Sequence, residues 1–258
     1  MNFKMKAAVA ALALTASMSA SAAMTNNQSG ASSLVLTLID NTNNISATFD
    51  LGFSHASFDR NSNSFWNLAS GDYADAWSTY WATATVADTQ WAVASGDNTG
   101  TGAGVRSLFT TKADTTVNVI KTTDFGTAMG NFDAYLNAHT SLGNHASVAN
   151  GASTATAGNG FAEFTGAYGT NGFYAAKIGD TTGAMDSNMM VWTVNSAASG
   201  LTATTQGQYK TAGFSNYFNM SSNGQLSYVA AVPEADTWAM LLAGLGLMGF
   251  IARRRTTA

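Results

Sequence analysis

The chain reads as β-rich or α+β, with an antiparallel β-sandwich-like central domain carrying one or two helices, an N-terminal signal peptide and a single C-terminal transmembrane helix. Three observations point there. Short alternating apolar and polar runs recur between Asn-, Ser- and Gly-rich breaks. Only 10% of the residues are charged and there is no cysteine, so packing rather than disulfide bonding must hold the domain. Both ends depart from this pattern: a short apolar stretch follows two lysines at the start, and a longer one precedes three arginines at the end.

At the N-terminus, Lys4 and Lys6 form a positive region and Ala7 to Ala16 an apolar one. Ala20-Ser21-Ala22 is a small-x-small cleavage site, with a rival shifted by one residue and ending at Ala23. This is the pattern of a secretory signal peptide over residues 1–22. Its apolar core is too short for a permanent span. The mature chain then begins near Ala23, outside the cytoplasm.

The exported region, residues 23–231, opens with strands. Ser33–Asp40 is an apolar run with β-branched residues, closed by Asp40-Asn41-Thr42-Asn43-Asn44. Ile45, Ala47, Phe49, Leu51 and Phe53 then alternate with Ser46, Thr48, Asp50 and Gly52, the period-2 signature of a half-buried strand. The two predict an antiparallel hairpin across an Asn-rich turn. Thr89–Ser95 and Val105–Thr111 predict a second pair, joined across the glycine-rich stretch Gly96–Gly104. Thr115–Ile120, Met189–Val194 and Leu226–Ala230 predict three further strands.

Two stretches carry helical spacing. Tyr73, Trp77, Tyr80 and Trp81 fall at i, i+4, i+7 and i+8, with Asp72 as a candidate N-cap. The same residues also fit an alternating strand. Phe125, Met129, Phe132 and Leu136 form a cleaner stripe behind Thr123-Asp124. Ser141 to Gly160 is low in complexity and predicts a long surface loop.

Chemical constellations are few. His55, His139 and His145 stand in unlike contexts; His139 and His145 are six apart, and the expectation is solvated loop histidines with no metal site. No Gly-x-Ser-x-Gly elbow occurs. Asp59, Asn61 and Asn63 place oxygens at positions 1, 3 and 5 of a calcium-like loop, but Ser64 and Ser70 occupy its glycine and glutamate positions. That disfavours an EF-hand and leaves an irregular calcium site open. Gly96–Gly104 lacks the Gly-Lys-Ser/Thr ending of a phosphate loop. The aromatic group Trp66, Tyr73, Trp77, Tyr80, Trp81 and Trp91 reads first as core, and second as a platform for sugar rings. No catalytic residues and no cofactor are expected.

Charge narrows the partners. Residues 23–232 hold six Lys and Arg against thirteen acids, a formal charge of about −7. That argues against nucleic acid, which needs a positive surface.

The tail is the most specific segment. Pro233, the only proline, opens Val232-Pro233-Glu234-Ala235-Asp236-Thr237-Trp238. It cannot donate a backbone hydrogen bond and disfavours helix at the residue before it. Residues 238–252 are apolar throughout and end in Arg253, Arg254 and Arg255. Counted from Ala235 the helix has about 18 residues, about 27 Å long, close to a hydrocarbon core of about 30 Å. Trp238 suits one interface, and the three arginines suit the cytoplasmic side.

Val232 to Arg255 resembles the PEP-CTERM sorting signal of Gram-negative bacteria: a Pro-Glu-Pro-type motif, one hydrophobic helix and a terminal arginine cluster. Ala235 stands where that motif has its second proline. The resemblance implies that the sorting motif is Val232, Pro233 and Glu234, and that Trp238 and Arg253–Arg255 anchor a transmembrane helix over about 237–252 until processing. It implies an exosortase as partner and processing enzyme, and an exopolysaccharide-producing, biofilm-forming setting. The tail, residues 232–258, would leave an inner-membrane-anchored precursor that is then released to the cell surface or medium. The expected function is a surface or matrix component without catalysis of its own. The alternatives are a carbohydrate-binding module contacting exopolysaccharide and a hydrolase acting on exported polymer.

Overall fold

The structure is a computed structural model that describes residues 24–100, 104–157 and 178–230, together with Leu245. The expected signal peptide, with its candidate cleavage residues Ala20, Ala22 and Ala23, lies outside the described residues. So do Val232, Pro233, Glu234, Trp238 and Arg253–Arg255, and the rest of the apolar run apart from Leu245. Among the described residues no helix is long and apolar enough to cross a membrane.

The first hairpin follows the sequence pattern. Strands β1 (Ser33–Asp40) and β2 (Ile45–Ser54) pair antiparallel, with Leu38 opposite Ala47 and Asp40 opposite Ile45. The Asp40 carboxylate makes the turn: it accepts the N–H groups of Thr42 and Asn43, both at 2.9 Å.

The chain then runs through β3 (Ser64–Asn67), α1 (Ala74–Trp81), β4 (Thr89–Asp97), β5 (Ser107–Lys112), α2 (Thr122–Thr140) and β6 (Ala152–Thr156). It continues with β7 (Gly183–Ala184), β8 (Asn188–Asn195), β9 (Thr205–Gln208), β10 (Lys210–Thr211), β11 (Phe214–Ser215), β12 (Tyr217–Met220) and β13 (Gln225–Val229). Eleven strands make one antiparallel sheet in the order β3-β13-β12-β8-β5-β4-β1-β2-β6, with β7 on β4 and β9 on β8; β10 and β11 pair separately.

This sheet curls into a half-barrel instead of dividing into the two facing layers of a sandwich. The expected antiparallel, β-rich class holds, and the layering differs. The reason lies in what covers each face. On one face Leu34, Leu36, Leu38, Phe49, Trp91, Val93, Phe109, Phe218 and Tyr228 form the larger core, closed by Tyr73 and Tyr80 around α1 and by Phe58 from the β2–β3 connection. On the other face Val35, Ile39, Ala92, Ala94, Leu108 and Val194 meet Phe125, Met129, Phe132 and Leu136 of α2. A helix takes the place that a second sheet would fill.

Consequently β1 is buried along its whole length. The β2 face carrying Ser46, Thr48 and Asp50 is buried too, not solvated as the alternation suggested. Two of these polar groups are matched: Thr48 Oγ1 and Thr37 Oγ1 of β1 both meet the Tyr135 hydroxyl, the latter at 2.9 Å, and Asp50 accepts Ser33 Oγ at 2.8 Å, whereas Ser46 Oγ has no hydrogen-bond partner among the described residues. The start of the described chain is also tied down. Met24 is buried in the α2-side core, and the Asn27 N–H donates to Asp133 of α2 at 2.6 Å.

Three other expectations change. Asp72 is not an N-cap; it lies within a 3-10 turn, Gly71–Tyr73, that leads into α1. Thr115–Ile120 is not a strand, because β8 already occupies the free edge of β5. Val117 and Val119 are left exposed, and buried Lys112 clamps the segment by bonding the Thr116 carbonyl and the Asp114 carboxylate (2.9 Å for the latter). The low-complexity stretch Ser141–Gly160 is not simply a surface loop: it contains β6, which adds to the sheet beside β2, with Thr154 opposite Ala47.

Candidate functional site

His139 and His145 are not the solvated loop residues that the sequence suggests. The structure buries His139 and His145 to 0% and 1% exposure. His139 projects from the last turn of α2, and His145 from the turn before β6. Both reach one hydroxyl: Ser153 Oγ lies 2.9 Å from His139 Nδ1 and 3.2 Å from His145 Nε2. Two glycines make this packing possible. Gly143 turns with φ +58°, where a Cβ would collide with the Ala152 carbonyl. At Gly151 a Cβ would stand 2.5 Å from His145 Cα.

Burial disfavours the imidazolium, so His139 is pushed down to about 3, with neighbouring His145 adding to the shift. Burial also pushes His145 down to about 4, the Thr48 carbonyl acting against it. The result is two neutral rings that fasten β6 to α2. A serine beside histidine suggests a nucleophile, yet Ser153 is 1% exposed and its hydroxyl faces inward. A cleft of about 300 Å³ lies between α1 and β6, bounded by Asp75, Thr79, Asn144, Ser153 and Thr154; Ser153 borders it, and neither histidine does.

His55 is separate and half-buried. Its Nδ1 lies 3.1 Å from Ser95 Oγ and its Nε2 2.8 Å from Ser107 Oγ. Burial first, and the Arg60 charge second, push it down to about 4. Among the described residues no three His, Asp or Glu side chains converge as a metal site.

The calcium-like loop does not converge either. Asp59 accepts from the Asn61 N–H at 3.0 Å and from Ser62 Oγ at 2.5 Å. Asn61 Oδ1 faces the Tyr209 hydroxyl at 3.3 Å, and Asn63 Oδ1 accepts the Ala230 N–H at 2.9 Å. Each oxygen thus serves a different partner.

The aromatic group is core. Trp66, Tyr73, Tyr80 and Trp91 are buried, and Trp77 and Trp81 pack partly buried against the same cluster. Trp66 Nε1 donates to the Leu51 carbonyl at 2.9 Å, and Trp91 Nε1 to the Ala184 carbonyl at 2.8 Å. No flat platform of these rings is presented.

Sequence reasoning missed Phe58 and Arg60. Phe58 plugs the half-barrel, with its ring 5.0 Å from Tyr228 and 6.2 Å from Phe218. Arg60 lies over the Phe109 ring at 4.7 Å and donates to the His55 carbonyl at 3.1 Å. The available signal was one aromatic residue and one cation inside an otherwise polar connection between two strands.

The remaining functional element is the tail, which starts where the sheet ends. Strand β13 lies between β3 and β12, and Ala230 follows it directly. Residues 231–255 match the family of the PEP-CTERM protein-sorting motif. The chain carries a PEP-CTERM sorting motif. The match includes Val232, Pro233, Glu234, Trp238 and Arg253–Arg255, the residues that carried the resemblance. The PEP-CTERM motif marks a secreted protein processed by an exosortase. No curated protein and no solved structure matches the chain.

Proposed function

We propose that this PEP-CTERM chain is an exported cell-surface or extracellular-matrix protein with no catalysis of its own. Before processing, the apolar run 238–252 and Arg253–Arg255 hold a precursor in the inner membrane, with Trp238 at the outer interface. Val232, Pro233 and Glu234 then lie outside the membrane, within reach of the exosortase. Extracellular polysaccharide is the proposed environment of the released domain.

One observation carries this reading: the PEP-CTERM match begins at residue 231, two residues after β13 ends at Val229. A folded domain followed at once by a sorting signal is the layout of cargo. The burial of Ser153, His139 and His145 supports a structural use of those side chains. The weak charge and the Ser-, Thr-, Asn- and Gly-rich composition suit a hydrated, low-charge environment.

The test is sorting itself. Glu234→Ala, or deletion of Arg253–Arg255, should leave a membrane-retained or mis-sorted precursor. Normal size and yield of both variants in the medium would refute the reading.

A further inference from the structure

The two faces of the sheet are covered unevenly. On one face of β3, β12 and β13, Trp66, Phe218, Leu226 and Tyr228 point into the larger core. Their strand neighbours point to the opposite face, since successive residues of a strand alternate. Helix α2 covers that opposite face over β1, β4, β5 and the Val194 end of β8, and no residue of β3, β12 or β13 belongs to its core. Beyond the helix the face is accessible: Phe65 is 61% exposed, and Tyr217, Asn219, Gln225 and Ser227 are partly exposed. An antiparallel sheet can keep one face in water.

The strand register sets these groups in rows. Phe65 stands opposite Ser227, Ser227 opposite Asn219, and Asn219 opposite Asn188, one residue from each of four adjacent strands. On one flank of this row Tyr217 stands between Val229 and Met190. On the other flank Gln225 stands opposite Asn67. With about 4.8 Å between strands and about 3.4 Å per residue, the face measures about 14 Å in each direction. The Asn219 amide is oriented, its Nδ2 donating to Asn188 Oδ1 at 2.8 Å and to the Ser187 carbonyl at 3.2 Å. The side chains of Tyr217, Gln225 and Ser227 make no hydrogen bond among the described residues.

No side chain in these rows is charged. Lys112, opposite Met190, is buried and bonded to the Thr116 carbonyl and the Asp114 carboxylate, so it offers the face no free cation. Phosphate and carboxylate groups find no counter-charge here, and the acidic exported region repels polyanions. The face is also too small for a stable protein partner: its area is about 200 Å², against about 800 Å² per partner in a standard interface. Amides and hydroxyls both donate and accept hydrogen bonds, and aromatic rings offer an apolar surface beside them. That combination fits an uncharged, extended molecule with hydroxyls at its rim and C–H groups on its faces.

We propose that the open face of β3, β13, β12 and β8 is a docking surface for a neutral polysaccharide chain. Phe65 and Tyr217 carry sugar rings, and Asn219, Ser227 and Gln225 bond the ring hydroxyls. The choice of a polysaccharide rests on the matrix reading above, whereas the sorting step is not needed for it. The surface is open and shallow, so affinity is weak, with a dissociation constant on the order of 1 mM for a short chain. A chain touches more of the rows than a single sugar does and binds more tightly. With no charge on either side, affinity is insensitive to salt.

The test uses the full chain purified in a detergent without sugar headgroups. Ligand-observed NMR titrates it with cellohexaose, maltohexaose, laminarihexaose and mannohexaose, with methyl glucoside, and with oligogalacturonate as the charged control. At least one neutral chain should bind, about tenfold or more tighter than methyl glucoside, and added salt should not weaken it. Phe65→Ala and Tyr217→Ala should each lower that affinity about three- to tenfold, the loss of one ring contact. Phe65 is exposed, so its variant reads out even if Tyr217→Ala unfolds. Phe214→Ala removes an exposed ring on β11, outside the face, and should change nothing. Binding of none of the neutral chains, tighter binding of oligogalacturonate, unchanged affinity in the folded Phe65→Ala chain, or an equal loss in Phe214→Ala would overturn the surface. Self-association that Phe65→Ala abolishes would give the face to a second copy and would overturn it too. Phe65→Ala should be exported and processed normally, and Glu234→Ala should bind the glycan normally, so failure of the docking surface and failure of the sorting reading are seen separately.

Discussion

The N–H of Ala230 donates to Asn63 Oδ1 at 2.9 Å, one residue before the sorting motif begins. Asn63 precedes β3, the strand that flanks the last strand, β13. Ala230, which directly follows β13, is therefore fastened to the sheet edge.

A chain ending at residue 231 should accordingly fold. A chain ending at residue 224 should not, because it loses β13, the one sheet neighbour of β3 among the described residues. Circular dichroism and thermal melting distinguish the two. Asn63→Ala leaves the Ala230 N–H without its partner and should cost about 1–3 kcal/mol. Reducing agent should have no effect on any of these melts, since there is no cysteine to reduce.

Acid should weaken the domain through its histidines. His139 and His145 stay neutral in the fold down to about 3 and about 4, whereas an unfolded histidine protonates near pH 6.5. The unfolded chain therefore binds protons that the folded chain excludes. Stability is fully present above about pH 6.5 and falls progressively towards pH 4, on the order of 1–3 kcal/mol for each ring. Urea titrations from pH 7.5 to 4.5 should show this slope, and His139→Gln with His145→Gln should reduce it, leaving the share of His55, which is also pushed down to about 4. An unchanged slope in the double variant would place the acid sensitivity elsewhere.

Asp50 works in the opposite direction. Burial raises it to about 6, against the hydrogen bonds from Gly52 and Ser33. Its contribution is fully present below the unfolded value near 3.8 and is lost as pH rises through about 6. Asp50→Asn should therefore raise stability at pH 8 relative to the parent chain while making little difference at pH 4. Denaturation at those two values checks it.

Gly143→Ala should be destabilising by about 1–3 kcal/mol, since both the positive φ and the Ala152 carbonyl oppose a Cβ. The loss should be local. Hydrogen exchange is expected to rise first in β6 and around His145, before β1 or β4.

The sheet's centre was legible in the sequence, because β1, β2, β4, β5 and β8 carry long apolar or alternating runs. The stripe of Phe125, Met129, Phe132 and Leu136 likewise foretold α2. The margins were not. Edge strand β6 is Ala-Ser-Thr-Ala-Thr, too small and polar to stand out from its low-complexity surroundings. Thr115–Ile120 has strand composition but finds β5 already paired with β8. The two histidines looked solvated because nothing in a sequence tells that Gly143 and Gly151 will fold their loop over Ser153. Arg60 was invisible for a related reason: it packs over Phe109, which is distant in sequence. The sorting motif was legible because it is a linear signal, read in order along the chain.

Mass spectrometry of the exported protein from its host tests the central claim most directly, since both ends appear in one measurement. The expected chain begins at Ala23 or Met24 and ends within or near Val232-Pro233-Glu234, with the apolar run and Arg253–Arg255 gone. A secreted protein that still carries Arg253–Arg255, or an intact cytoplasmic chain beginning at Met1, would contradict it.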